Sequence, residues 1–200
     1  MINDSTLYLD ELFLVESEFG NYEEAIKLGN RAIKISLFIP DLTIYSIAGH
    51  DKEAYLLAKK LVESYKKVGT PNLQLSHRIG FTFWQMGKKE EAKNYFNQQI
   101  KYDEESIKLD RDIAQSKFAQ YDLAATYAFL GNKVKAYQYL DDFNTLNFYP
   151  IWWVTLAKHD PEFNSIRNEG RFKKILENME AKYQAEHERV RKWLEEQGML

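Results

Sequence analysis

The sequence predicts an all-α fold assembled from successive helical hairpins, and three patterns carry that expectation. Four glycines are each followed five positions later by alanine: Gly20 and Ala25, Gly49 and Ala54, Gly87 and Ala92, Gly131 and Ala136. With 15 alanines in 200 residues, chance gives about 0.6 such pairs among the eight glycines that have a fifth downstream neighbour, against the four observed. Apolar residues recur eight positions before three of these glycines (Leu12, Ile79, Leu123), and aromatics four positions before three (Tyr45, Phe83, Tyr127). Near the C-terminus Phe172, Leu176, Met179, Tyr183, Val190 and Trp193 follow one another in steps of three, four or their sum, the stripe of a helix with one buried face.

The glycine pattern has a physical reading. Glycine ends a helix in the left-handed conformation at little cost, and a small alanine lets the next helix lie close against its predecessor. Each pair therefore marks the corner of a helix-turn-helix hairpin, with the upstream apolar positions facing the partner helix.

The stretch Gly20-Asn21-Tyr22-Glu23-Glu24-Ala25-Ile26, with Ala32 seven positions after Ala25, resembles the tetratricopeptide repeat (TPR) motif. So do Gly87-Lys88-Lys89-Glu90-Glu91-Ala92 and Gly131-Asn132-Lys133-Val134-Lys135-Ala136. The resemblance covers approximately residues 5–145 and implies a right-handed α-solenoid of about four TPR-like hairpins with a C-terminal capping helix. It divides the chain into an array over 1–145 and a C-terminal aromatic segment with its capping helix over 146–200. The corner glycines are spaced 29, 38 and 44 apart instead of uniformly, Asp41 replaces an apolar residue in the second unit, and Gln99 stands where alanine is usual.

The uneven spacing is accommodated element by element. Pro40 shortens the first helix of unit two to about Asp41 to Ala48, since proline breaks a helix interior. The extra residues before Gly131 predict one long helix, capped by Asp103 with Glu104 and Glu105 at its positive end and running to Leu130, about 40 Å long. Beyond Phe143, Asn147-Phe148-Tyr149-Pro150-Ile151-Trp152-Trp153 is apolar and aromatic, and Asp160-Pro161 reads as a helix cap followed by proline at the first helical position. Asp160, Pro161, Phe163, Arg167, Arg171, Phe172 and Leu176 fill a pattern that resembles the terminal unit of many bacterial TPR arrays. The last helix carries Lys174, Glu177, Lys182, Glu188 and Lys192 for its outer face. Trp152 and Trp153 read as a plug at the end of the last hairpin or as a stacking platform, and Arg167 and Arg171 as partners of Glu162 and Glu169 or as an anion site.

The resemblance places His77, Phe81, Trp84 and Gln85 of unit three on the inner face of a groove, with Phe118, Tyr121, Ala125 and Phe129 of unit four. Aromatics beside a few polar groups can hold a peptide by stacking and hydrogen bonding; the same residues can also pack between neighbouring helices. The Lys, Arg and Asn with which some TPR domains grip a partner's terminal carboxylate are missing, because His77, Phe81, Tyr121 and Ala125 occupy those places.

Other function classes find little here. The chain has no cysteine, and His50, His77, His159 and His187 are scattered without metal-ligand spacing, so neither a metal site nor a cofactor is expected. HExxH, G-x-S-x-G, Walker and dinucleotide motifs are absent, which argues against an enzyme. A net charge of −3 with interspersed signs predicts no nucleic-acid partner, and no apolar run is long enough to insert in a membrane. These features predict a cytoplasmic, non-catalytic scaffold for a protein or peptide partner. Two alternatives stay open: a sensory or regulatory segment of a longer bacterial transcriptional or signalling protein, and a homodimer formed through Trp193, Leu194, Met199 and Leu200 on the C-terminal helix.

Overall fold

The computed structural model describes residues 4–35, 41–69 and 75–200, and no strand occurs among them. Helices α1 (Asp4–Glu18) and α2 (Tyr22–Ile35), α3 (Leu42–Ile47) and α4 (Asp51–Val68), and α5 (Ser76–Gln85) and α6 (Lys89–Lys108) form three consecutive hairpins, each packed on the next. A short α7 (Asp112–Gln115) leads to a fourth hairpin, α8 (Phe118–Phe129) and α9 (Lys133–Phe143). Then come α10 (Ile151–His159), a 3-10 turn at Pro161–Phe163, and the long α11 (Gly170–Glu196).

All four corners form as the glycine pattern requires. Gly20, Gly49, Gly87 and Gly131 have φ between +75° and +81°, the region that penalises any residue with a Cβ. At Gly87 the Gly N–H donates to the Trp84 carbonyl and the Lys88 N–H to the Phe83 carbonyl, both at 2.9 Å. Gly131 repeats this pairing with Ala128 and Tyr127, so the orphan carbonyls at the helix end are satisfied by a Schellman turn. The four paired alanines, Ala25, Ala54, Ala92 and Ala136, are 0% exposed where the next helix crosses back.

A fifth small residue sets the tightest approach. A Cβ on Gly80 of α5 would stand 3.0 Å from the Phe96 ring and 3.2 Å from the Ala92 carbonyl of α6. Because Phe96 is fully buried and Ala92 contributes backbone, neither has free space to yield.

Two expectations about helix boundaries meet different outcomes. Asp41 caps α3, its carboxylate accepting the Thr43 N–H at 2.8 Å, while Pro40 lies outside the described residues. The single helix from Asp103 to Leu130 is not formed. Helix α6 runs through Asp103, whose side chain is buried instead of capping, and the chain turns between Leu109 and Lys117. Asp110 and Lys117 take positive φ there (51° and 65°), which splits the predicted rod into the end of α6, α7 and α8.

Two hydrophobic cores result. One joins α1 to α6 around Phe13, Tyr45, Phe83 and Phe96; the other joins α8 and α9 to the C-terminal segment around Tyr121, Phe143, Trp153, Phe163, Phe172 and Met179. Helix α10 also packs on α1, and the Tyr22 and His159 rings meet edge to face at 5.6 Å. The C-terminal segment therefore reaches back across the stack to the first hairpin. Lys182, assigned by its spacing to an outer face, instead turns inward and donates to the carbonyls of Asn144 and Leu146, both at 2.7 Å.

Gly80→Ala weighs a helix-propensity gain of about 1 kcal/mol against an overpacking cost of about 1–3 kcal/mol. With Phe96 locked, the cost prevails, so the urea midpoint should fall at unchanged slope by about 1 kcal/mol of stability. A midpoint that holds or rises would show that the α5–α6 contact relaxes.

Candidate functional site

Helix α5 reads Ser-His-Arg-Ile-Gly-Phe-Thr-Phe in its buried stretch, so two basic side chains enter an otherwise apolar and small-residue helix. Both are matched from the C-terminal turn. Arg78 donates to both Asp160 oxygens, at 2.9 and 2.8 Å, and to Glu162 at 3.1 Å. His77 places Nδ1 3.1 Å from the Glu162 carboxylate and Nε2 3.3 Å from Asp122 on α8. Tyr121 donates its hydroxyl to Asp160 at 2.9 Å, and Asp160 also caps the turn through the Glu162 N–H at 3.0 Å.

The network continues into α6. Gln99 accepts the His77 N–H at 3.1 Å, an orphan donor of the first turn of α5, and donates to Asp103 at 2.7 Å. The departure from alanine at position 99 is thus the residue that links the two helices of the hairpin. All these side chains are buried.

Burial acts on each charge differently. It opposes the protonated form of His77, but the Glu162 and Asp122 carboxylates outweigh it and hold the ring proton up to about 10. Asp103 is pushed up to about 8, by burial first and the Asp122 carboxylate second, against the Gln99 hydrogen bond. For Asp160, burial works upward, yet the Arg78 guanidinium wins and keeps it below its ordinary value. The arrangement clamps residues 160–162 onto α5 and α8.

The seven residues expected to line a groove fall into three settings. His77 and Tyr121 are buried within this network. Phe81 is buried, and Trp84 and Phe129 are partly buried; Phe129 meets Phe81, Trp84 and Phe96 at 5.2, 5.6 and 5.2 Å between centroids. Gln85 is exposed, and Phe118, 40% exposed, stacks on Trp152 at 5.8 Å with 17° between the planes. Trp153 lies deeper, stacked on Phe143 at 4.4 Å.

The pairing expected for the two arginines is not made. Glu162 is taken by His77 and Arg78, and Glu169 by Lys133 at 2.6 Å and the Tyr137 hydroxyl at 2.7 Å. Arg171 pairs with Asp141 at 2.6 Å, and Arg167 reaches Asn164 and the carbonyls of Lys158 and Asp160.

Two neighbouring cavities flank α10. The smaller, about 250 Å³, lies between α1, α3 and α10 and is walled by Phe13, Tyr22, Ile44 and Ile47. The larger, about 500 Å³, opens between α3, α5, α7, α8 and α10, over His77, Arg78 and Tyr121. Asp41, Trp152 and Leu156 border both.

Residues 73–106, which contain α5 and most of α6, match the family model described as Tetratricopeptide repeat. This stretch of the chain is thus similar to a tetratricopeptide repeat. Neither a curated protein nor a solved structure matches it significantly. Tetratricopeptide repeats generally mediate protein–protein interaction, and the family is typically non-catalytic. Among the described residues, no group of three or more acidic or histidine side chains is placed to hold a metal ion, and no helix is long and apolar enough to cross a membrane.

Sequence reasoning passed over Arg78 and Asp122, and it read Asp103 as a helix cap instead of a buried member of this network. The available signal was two adjacent cations inside an apolar helix, together with two carboxylates flanking Pro161, although 82 to 85 residues separate the partners.

The two raised groups fix the direction of a pH effect. Folded Asp103 keeps its proton to about 8 against 3.8 unfolded, and folded His77 to about 10 against 6.5. In both windows the folded chain binds the extra proton, so the contribution is whole below the unfolded value and disappears as pH rises through the folded one. Stability should decline from about pH 4 to 8 through Asp103, and onward to about pH 10 through His77. Asp103→Asn should flatten the lower part of that decline in urea melts at pH 5, 7 and 9. Identical slopes in the two proteins would remove the proton from Asp103.

Proposed function

We propose that the chain is a non-catalytic scaffold that binds a partner polypeptide on the face crossed by α10. The observation that carries this reading is the pair of adjoining cavities bordered by Trp152, beside the partly exposed ring of Phe118. Anchor residues that fill pockets supply most of the binding energy at protein interfaces, and cavities of this kind accept them. Of the inner-face positions, Gln85 and Phe118 are exposed, while His77, Phe81 and Tyr121 hold the scaffold in shape. The acid and base groups of the clamp are committed to one another, which favours a positioning role over a chemical one.

The test compares immobilised variants for partner capture from the source cell. Phe118→Ala should reduce the captured partner about tenfold, the effect of losing one interface anchor. Val134→Ala, at a residue 82% exposed on α9, should leave it unchanged. Equal loss in both, or in neither, would move the partner surface elsewhere.

A second reading is favoured by α11. Its first half is buried through Phe172, Ile175 and Met179, whereas Val190 and Trp193 continue the stripe exposed. This unpaired end suits self-association between two copies of the helix. Light scattering should then give a larger mass for the full chain than for one ending at Tyr183; equal masses per chain would exclude the dimer.

A further inference from the structure

We infer that the larger cavity receives a basic side chain, an arginine or lysine projecting from the partner polypeptide; this deepens the proposed binding function and rests on it. Its volume of about 500 Å³ lies within the range of small-ligand sites. One wall is the stacked pair Phe118 and Trp152, with Phe118 partly exposed, and flat aromatic faces attract guanidinium and ammonium groups.

The charge around the cavity decides the sign of the ligand. Its two cations, His77 and Arg78, are committed to carboxylates behind them, Glu162 and Asp160. Three further carboxylates line it: Asp41, Asp112 and Asp122. Asp122 meets only the already shared His77, and among the described residues Asp41 and Asp112 have no ion-pair partner. An anionic ligand would have to break the two-point Arg78–Asp160 pair, and would meet uncompensated negative charge. An apolar one would strip water from Asp41 and Asp112 and return nothing. A cation stacked on the aromatic wall satisfies both.

An independent feature points to a bound group carrying an acceptor. Trp153 lines the cavity, is 4% exposed, and its Nε1 donor has no partner. Buried donors are nearly always paired, and a peptide carbonyl beside the inserted side chain would supply the acceptor with a small shift of the ring.

The experiment follows the indole N–H signals of the full-length, nitrogen-15-labelled protein during titration with acetyl-Gly-Arg-Gly-amide. Saturable shifts are expected at Trp152 and Trp153 and none at Trp193, which lies far along α11. Replacing arginine by norleucine or glutamate in the tripeptide should abolish them. The double variant D41N/D112N should weaken binding about fivefold or more, as loss of exposed ion pairs and the local field would. Asparagine still caps α3 at position 41, so the variant should fold, and its unchanged circular dichroism melt checks this. Absence of saturable shifts, equal binding of the norleucine peptide, or equal affinity in D41N/D112N would each overturn the inference. No macromolecular partner enters this titration, so its failure leaves the capture experiment standing, and a failed capture leaves the cavity's chemistry to be read by the titration alone.

Discussion

The buried pairing of Arg78 with Asp160 is the constraint on which the arrangement of this molecule depends. A guanidinium taken out of water is costly, and two charges attract strongly enough to offset that only when geometry is good and the remaining donors are used. Here both conditions hold, with two parallel bonds to Asp160, a third to Glu162, and Tyr121 on the same carboxylate. Such a pair adds little net stability over an apolar replacement, but it tolerates no displacement, because moving the turn by one residue would leave a buried charge without a partner. It fixes where residues 160–162 sit on α5 and α8, and through them where α10 crosses the stack.

From that fixed turn the two cores are joined. Trp153 and Val154 on α10 enter the core of α8 and α9, while the opposite end of the molecule is met through α1, Tyr22 and His159. The hairpins supply a stack of helices, and the clamp folds the C-terminal segment back over it. His77 participates as a doubly protonated ring between Glu162 and Asp122, which makes it a structural cation instead of a titrating switch near neutrality.

Much of this architecture was legible because its causes are local. A glycine that must adopt positive φ and an alanine that must fit under a crossing helix lie five residues apart, so Gly87 and Ala92 announce their corner without knowledge of the rest. The Asp160-Pro161 cap was equally readable. The charges at Asp103, Glu104 and Glu105 misled because acidic residues suit a helix start and a helix interior facing a buried partner alike; what separates the cases is Gln99 and Asp122, one turn away and on another helix. The positive φ at Asp110 and Lys117 has no glycine to signal it. The clamp itself was hidden because α5 and the 3-10 turn are more than 80 residues apart, and Glu162 could equally be assigned to a nearby arginine such as Arg167.

The same clamp determines what kind of recognition the surface can support. A peptide lying along the face of α5 and α8 would compete with residues 160–162, whose carboxylates already satisfy His77, Arg78 and Tyr121. Displacing them would expose paired charges to an incoming chain that must match three donors at once. The free space instead lies on either side of Trp152, as one chiefly apolar recess under α1 and α3 and one acidic, aromatic recess over α5 and α8. Their shared wall means that two neighbouring side chains of a single segment could enter both, one apolar and one basic. In the proposed complex, affinity would come from a few inserted anchors instead of a long backbone contact, and selectivity would follow from the order and spacing of those anchors.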